Sequence, residues 1–136
     1  MTNFQKHHYG IEAEDILIFG LCKNFALKGR PVGRYVDIGA FHPIQYSNTY
    51  LLYENGWSGV CVEPNPDLAD QFVIARPRDI IINRAIAHDS DTVNYHQFDD
   101  ALLNGIFPES LVIKHVENGK NTLELGALTV SAPKNF

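Results

Sequence analysis

The chain has 136 residues, 45% of them apolar and 20% charged, which is enough for one domain, 1–136, with a core of its own. A net charge of −5 argues against a nucleic-acid backbone or an anionic membrane as the main partner, because either needs a basic surface. Two cysteines, Cys22 and Cys61, each inside an apolar run, read as buried thiols, since a disulfide framework or a zinc site would need more sulfur at tighter spacing.

Residues 1–9, "MTNFQKHHY", are polar and read as a frayed tail. His7 and His8 on it are adjacent and hold no fixed geometry, so no metal site is expected. From Ile11 to Leu27 the pattern is helical: Ile18, Leu21, Cys22 and Phe25 form one apolar face, acids fill the first turn and Gly29 suits the stop. The run "ILIFGLCKNFAL" is too short to span a bilayer and carries Lys23, and no basic-then-apolar leader precedes it. A cytoplasmic protein is expected.

"RYVDIG" reads as a short buried strand. "SNTYLLYENG" reads as a helix that Ser47 or Asn48 can cap and Gly56 can end. "WSGVCVEPNP" is a second strand, in which Trp57 reads as a packing residue. "DLADQFVIARP" is a second helix, closed by Pro77, and "DIIINRAIA" a third strand. Residues 35–87 therefore run strand–helix–strand–helix–strand, with strands apolar throughout. Strands buried on both faces look like that, as in a parallel sheet covered by helices. "DSDTVNYHQF" follows as a turn and a fourth strand with Val93, Tyr95 and Gln97 alternating. Beyond Asp99 no clear period is visible, and the chain has no internal repeat.

In such a sheet, ligands bind beyond the carboxyl ends of the strands. Three loops converge there: 37–49, 63–67 and 83–91. The first holds Asp37 and the small residues Gly39 and Ala40, and leads into a helix start with free N–H groups. The second puts Glu63 at the tip of strand two, where a carboxylate can accept both hydroxyls of a ribose. The third offers backbone groups around Ala85 and Ile86 for an adenine edge. After Gly39 the chain reads Ala-Phe-His-Pro, without the later glycines a pyrophosphate needs, so NAD and FAD are disfavoured. An adenosyl ligand without phosphates does not need that cradle. An acid at the end of strand one can lie near the charged amino-acid end of S-adenosylmethionine.

The stretch "YVDIGAFHPIQYSNTYLLYENGWSGVCVEPNP" resembles the opening of FkbM-type methyltransferases, a branch of the class I S-adenosylmethionine-dependent enzymes. The matching motifs are Tyr35 to Ala40, Ser47-Asn48-Thr49, Gly56-Trp57-Ser58-Gly59 and Glu63-Pro64-Asn65-Pro66. Glu14 and Asp15 match the family's acidic helix, and "RPRDIIINRAIAHDSDTVNYHQF" is similar to its third strand and following hairpin. The likeness spans 9–100. It implies a three-layer α/β Rossmann-like domain with a mostly parallel sheet and methyl transfer to an oxygen such as a sugar hydroxyl. It also implies that Asp37, Gly39 and Ala40 line the methionine end of the cofactor and that Glu63 binds its ribose. Thr49 joins them as a cofactor contact. His42 sits where this branch of the family often has His-Pro, and a loop-shaping or capping role is expected of it. No catalytic residue is assigned.

The family pattern continues with a strand of the type Asp-Phe-Leu-x-Ile-Asp-Val-Glu-Gly, whereas this chain closes on "SAPKNF", which looks like its lead-in. The expectation is therefore a half-domain, its carboxyl-terminal strands missing and the chain inactive alone. The alternative is a non-catalytic binding or assembly protein on the same half-fold. Without a fourth parallel strand, "RYVDI" becomes an open edge. Either 122–130, "TLELGALTV", covers that edge, or two chains meet there about a two-fold axis. The homodimer is the expectation, since Gly126 weakens the tail as a strand.

Overall fold

The computed structural model describes residues 8–25, 32–86, 92–98, 103–107 and 128–131. They fall into two compact units, 1–83 and 84–136.

The first unit alternates helix and strand: α1 Glu14–Phe25, β1 Arg34–Ile38, α2 Tyr50–Glu54, β2 Ser58–Val62, α3 Pro66–Ala75 and β3 Ile80–Ile82. The strands form a parallel sheet in the order β1-β2-β3, with Val36 opposite Val60 and Val60 opposite Ile80. Parallel neighbours need a crossover, and α2 and α3 supply the two. The α/β architecture expected from the strand–helix alternation is the one observed.

α1 begins three residues later than the periodicity suggests. Ala13 sits at φ 62, and the Ala13 N–H turns back to the Gly10 carbonyl. Tyr9, read from the sequence as tail, is held in place. Its N–H donates to Asp15 Oδ2 at 2.8 Å, its hydroxyl to Glu54 Oε2 at 2.9 Å, and its ring meets Tyr50 edge-on. Polarity alone suggested fraying of residues 1–9; Asp15 in the first turn of α1 holds Tyr9 instead, and residues 1–7, His7 among them, lie outside the described residues. The expected apolar face of α1 is only half covered, with Leu21 48% exposed, and Asp15 is the helix residue without exposure. α1 packs on α2.

α2 is only five residues long. The N-cap residue is Thr49, without a side-chain cap bond, in place of the expected cap at Ser47 or Asn48; Ser47 Oγ, two residues before it, accepts from the Thr49 and Tyr50 N–H groups. Its other end is a Schellman turn: Trp57 N–H donates to Leu52 O and Gly56 N–H to Tyr53 O, with Gly56 at φ 90. α3 starts on Asn65, whose side chain accepts from Asp67 N–H, with Pro66 at the first helical position. It stops where Pro77 follows Arg76.

Two-sided burial, expected of the strands, is confined to the end of the central strand β2, where Cys61 and Val62 are 0% and 4% exposed. Tyr35, Cys61 and Ile81 pack with Ala40 and with Phe72 of α3 on one face. On the other, Val36, Ile38 and Ile80 are 68%, 63% and 59% exposed. β3 is also shorter than "DIIINRAIA", because the Asn83 side chain donates to the Glu63 and Pro64 carbonyls just past Ile82.

In the second unit, β4 (Thr92–Tyr95) pairs antiparallel with β5 (Leu128–Ser131), Val93 opposite Val130. Next to β4, His96 and Gly105 form an isolated antiparallel bridge. The expected fourth strand therefore forms, with residues 128–131 as its partner; residues 122–127 of the stretch weighed as a cover for β1 lie outside the described residues. Among the described residues no strand pairs with the outer edge of β1.

Candidate functional site at the ends of β1 and β2

The parallel sheet brings Asp37 on β1 level with Cys61 on β2, so the chain leaves β1 beside Glu63. Gly39 takes φ 72, a left-handed turn that an L side chain rarely adopts. A Cβ there would meet no atom within 4 Å, so the surroundings of Gly39 are open. The turn aims two amides inward: Gly39 N–H and Ala40 N–H both donate to the Val62 carbonyl, at 2.9 and 3.1 Å. Phe41, itself at φ 57, donates its N–H to Glu63 Oε2 at 2.8 Å. Asn65 N–H takes Glu63 Oε1, also at 2.8 Å.

Glu63 is thus 3% exposed and bridges two loops. Burial raises its pKa, the two N–H bonds work against that rise, and the neighbouring Asp37 charge adds to it. Each of its oxygens keeps a second lone pair for a ligand hydroxyl. Asp37 is half-buried, and its Oδ2 accepts the Thr49 hydroxyl at 2.6 Å. Among the described residues no donor reaches its Oδ1.

Several expectations need correction. The first-loop amides of residues 39–41 are not free, since Val62 and Glu63 accept all three. At the start of α2 the Ser47 hydroxyl takes the Thr49 and Tyr50 N–H groups. The Ala40 methyl points into the core with Cys61 and Phe72, so its smallness serves packing. Thr49, 7% exposed, spends its hydroxyl on Asp37. Ala85 is buried and belongs to the second unit; residues 87–91 lie outside the described residues.

His42 shapes the loop. Its Nδ1 accepts from the Ile44 and Gln45 N–H groups at 3.1 and 2.9 Å, which places the ring proton on Nε2. Burial lowers its pKa from 6.5. A neutral ring with both nitrogens so committed has no lone pair left to act as a base. Trp57 lies over Gly33, the packing role expected of it. A cavity of about 360 Å³ opens beside the same loop, lined by His8, Tyr9, Gly10, Ile11, Gln45 and Tyr46.

Beneath the site lies a buried cluster that the sequence reading missed. Arg76 has no exposure. Its Nε meets Asp79 Oδ2 at 2.7 Å, and Nη2 meets Tyr35 Oη at 2.7 Å and Thr49 Oγ1 at 3.0 Å. Nη1 reaches the Pro43 carbonyl and Ser47 Oγ, both at 3.2 Å. Asp79 in turn accepts from the Tyr35 hydroxyl and the Gly59 N–H. Burial and the bond to Asp79 raise the Tyr35 pKa, and burial pushes the Cys61 thiol up to about 12. The available signal was "RPRD": two arginines and an acid set between the end of α3 and the triple isoleucine of β3.

The residues present fit an adenosyl ligand without phosphates. The amides of residues 39–41 are taken, whereas carboxylate lone pairs remain for hydroxyls and an ammonium group. Among the described residues no cluster of side chains could hold a metal ion, and no helix is long and apolar enough to cross a membrane. Comparison with known families gives one result: the model of the family described as "Methyltransferase FkbM domain" matches residues 37–131. No curated protein and no solved structure matches the chain.

Proposed function

Because the chain belongs to the FkbM methyltransferase domain family, we propose that it binds S-adenosylmethionine at the carboxyl ends of β1 and β2 and methylates a hydroxyl of a sugar-type acceptor. The observation that supports the cofactor assignment is the pair of carboxylates at adjacent strand ends: the amides of residues 39–41 are used internally, while Asp37 Oδ1 accepts no bond among the described residues and each Glu63 oxygen, already holding one N–H, keeps a second lone pair. Asp37 Oδ1 would take the ammonium of the amino-acid end. Glu63 would take ribose hydroxyls on its second lone pairs, and the open space at Gly39 would let the ligand approach the backbone. S-adenosylmethionine, when bound, supplies an electrophilic methyl on a sulfonium for in-line displacement.

The contribution of this chain is orientation, which can lower such a barrier substantially when the reacting atoms are aligned. The burial of Glu63 and the anchoring of residues 39–41 on β2 hold the loop in one conformation. His42 fixes the turn behind it and takes no part in proton transfer.

Calorimetric titration with S-adenosylhomocysteine tests the assignment. The wild-type chain should bind, and Asp37→Asn should lose roughly 1.5–3 kcal/mol, the scale of a hydrogen bond to a charged group. Equal affinity in the two would remove Asp37 from the site. A labelled-methyl assay against free sugars and nucleotide sugars tests the acceptor class. Turnover by this chain alone would overturn the expectation that it is inactive alone, and a complete absence of binding would favour the non-catalytic alternative.

A further inference from the structure

We infer that Arg76 is a positioning residue for Asp37, acting through Thr49; this rests on the cofactor reading above. A guanidinium only donates. Arg76 Nη2 lies 3.0 Å from Thr49 Oγ1, so that oxygen is the acceptor of the contact. The Thr49 hydroxyl has one proton to place, and Asp37 Oδ2 stands 2.6 Å away. The direction of the chain is therefore set, from Arg76 to Thr49 to Asp37.

Neither of the first two members can turn away. Arg76 is held at Nε by Asp79 and at Nη1 by the Pro43 carbonyl and Ser47, with no exposure to water. Thr49 is 7% exposed, and its branched side chain has few rotamers. The charge of Arg76 is matched by Asp79, 2.7 Å away, at side-chain exposures of 0% and 1%. What reaches Asp37 is thus a directed hydrogen bond rather than a neutralising cation. Oδ2 is occupied, the carboxylate is fixed in rotation, and Oδ1 is left to accept from a ligand. Such an oxygen selects for a ligand that carries an ammonium group. It distinguishes S-adenosylhomocysteine from methylthioadenosine, which has the same nucleoside and thioether but no amino-acid end.

The test is calorimetric titration of the full chain with both ligands. Thr49→Val keeps the branched shape and removes the hydroxyl; Thr49→Ser keeps the hydroxyl. Thr49→Val should weaken S-adenosylhomocysteine about tenfold, the scale of one hydrogen bond to a charged group. Methylthioadenosine should stay within about twofold, and Thr49→Ser should restore the difference. Arg76→Lys should weaken S-adenosylhomocysteine in the wild-type background and add nothing to Thr49→Val, because coupled members of one chain are not additive. If Arg76→Lys does not fold, the two Thr49 variants carry the test. Equal losses for both ligands, or no loss for either, overturn the inference. So does a wild-type chain that binds both ligands equally well, which leaves the adenosyl reading standing. A wild-type chain that binds neither ligand removes the cofactor reading itself.

Discussion

The two faces of the parallel sheet differ in a way opposite to the usual alternation. On β1 the polar residues Tyr35 and Asp37 point to the covered side, and the apolar Val36 and Ile38 to the exposed one. A half-buried strand normally does the reverse. The cause is the buried Arg76, whose donors need Tyr35 and, through Thr49, Asp37 as partners. The lesson is that a buried cation can set the orientation of a strand that hydrophobicity alone would turn over. The same cluster stands behind the candidate cofactor site, so stability and function share one face.

The sharpest way to break this comparison is to remove a partner from the ion pair. Arg76→Met or Asp79→Ala should cost about 3–5 kcal/mol in urea unfolding, because each leaves a buried charge uncompensated. Val36→Thr on the other face should stay within about 0.5 kcal/mol, as exposed substitutions do. A large loss at Val36 would instead mean that the open face and edge are covered in solution. Light scattering then discriminates: a mass near 15.3 kDa at micromolar concentration retires the expected homodimer.

A smaller effect is expected at the start of α3, which brings Phe72 onto the covered face. Asn65→Ala removes the acceptor for Asp67 N–H and should cost about 1 kcal/mol. Smaller still is the pH effect of His42. Its folded pKa lies below 6.5, so on acidification the unfolded chain takes up the proton first. Stability from this group is complete above 6.5 and is lost as the pH falls through the folded value. The difference in the pH slope of stability between wild type and His42→Asn should show this. Nitrogen NMR of the wild type should find the proton on Nε2.

The least perturbing measurement is thiol labelling. Cys61, buried and pushed up to about 12, should resist alkylation at neutral pH in the native chain. Cys22, half-buried, should label first. Rapid labelling of Cys61 would show that the covered face opens.

By itself the sequence determined the order of elements from β1 to β3, because each apolar run, cap and stop is written in neighbouring residues. Ser47 before α2, Gly56 after it and Pro77 after α3 are such signals. It also carried the motifs from Tyr35 to Pro66 on which the family likeness rests, and the pairing of Asp37 with Glu63 at adjacent strand ends. The tertiary structure decided everything that depends on partners far along the chain. Val62 and Glu63 take the amides of residues 39–41, a pairing across two strands that no local pattern shows. Tyr9 is tied to Asp15 and Glu54 rather than frayed. β5 goes to β4 across more than thirty intervening residues. Arg76 looks from its neighbours like a solvated residue after a helix; only the convergence of Tyr35, Thr49 and Asp79 makes its burial affordable. A buried charge is stable only where its partners meet in space, and no local pattern records that meeting.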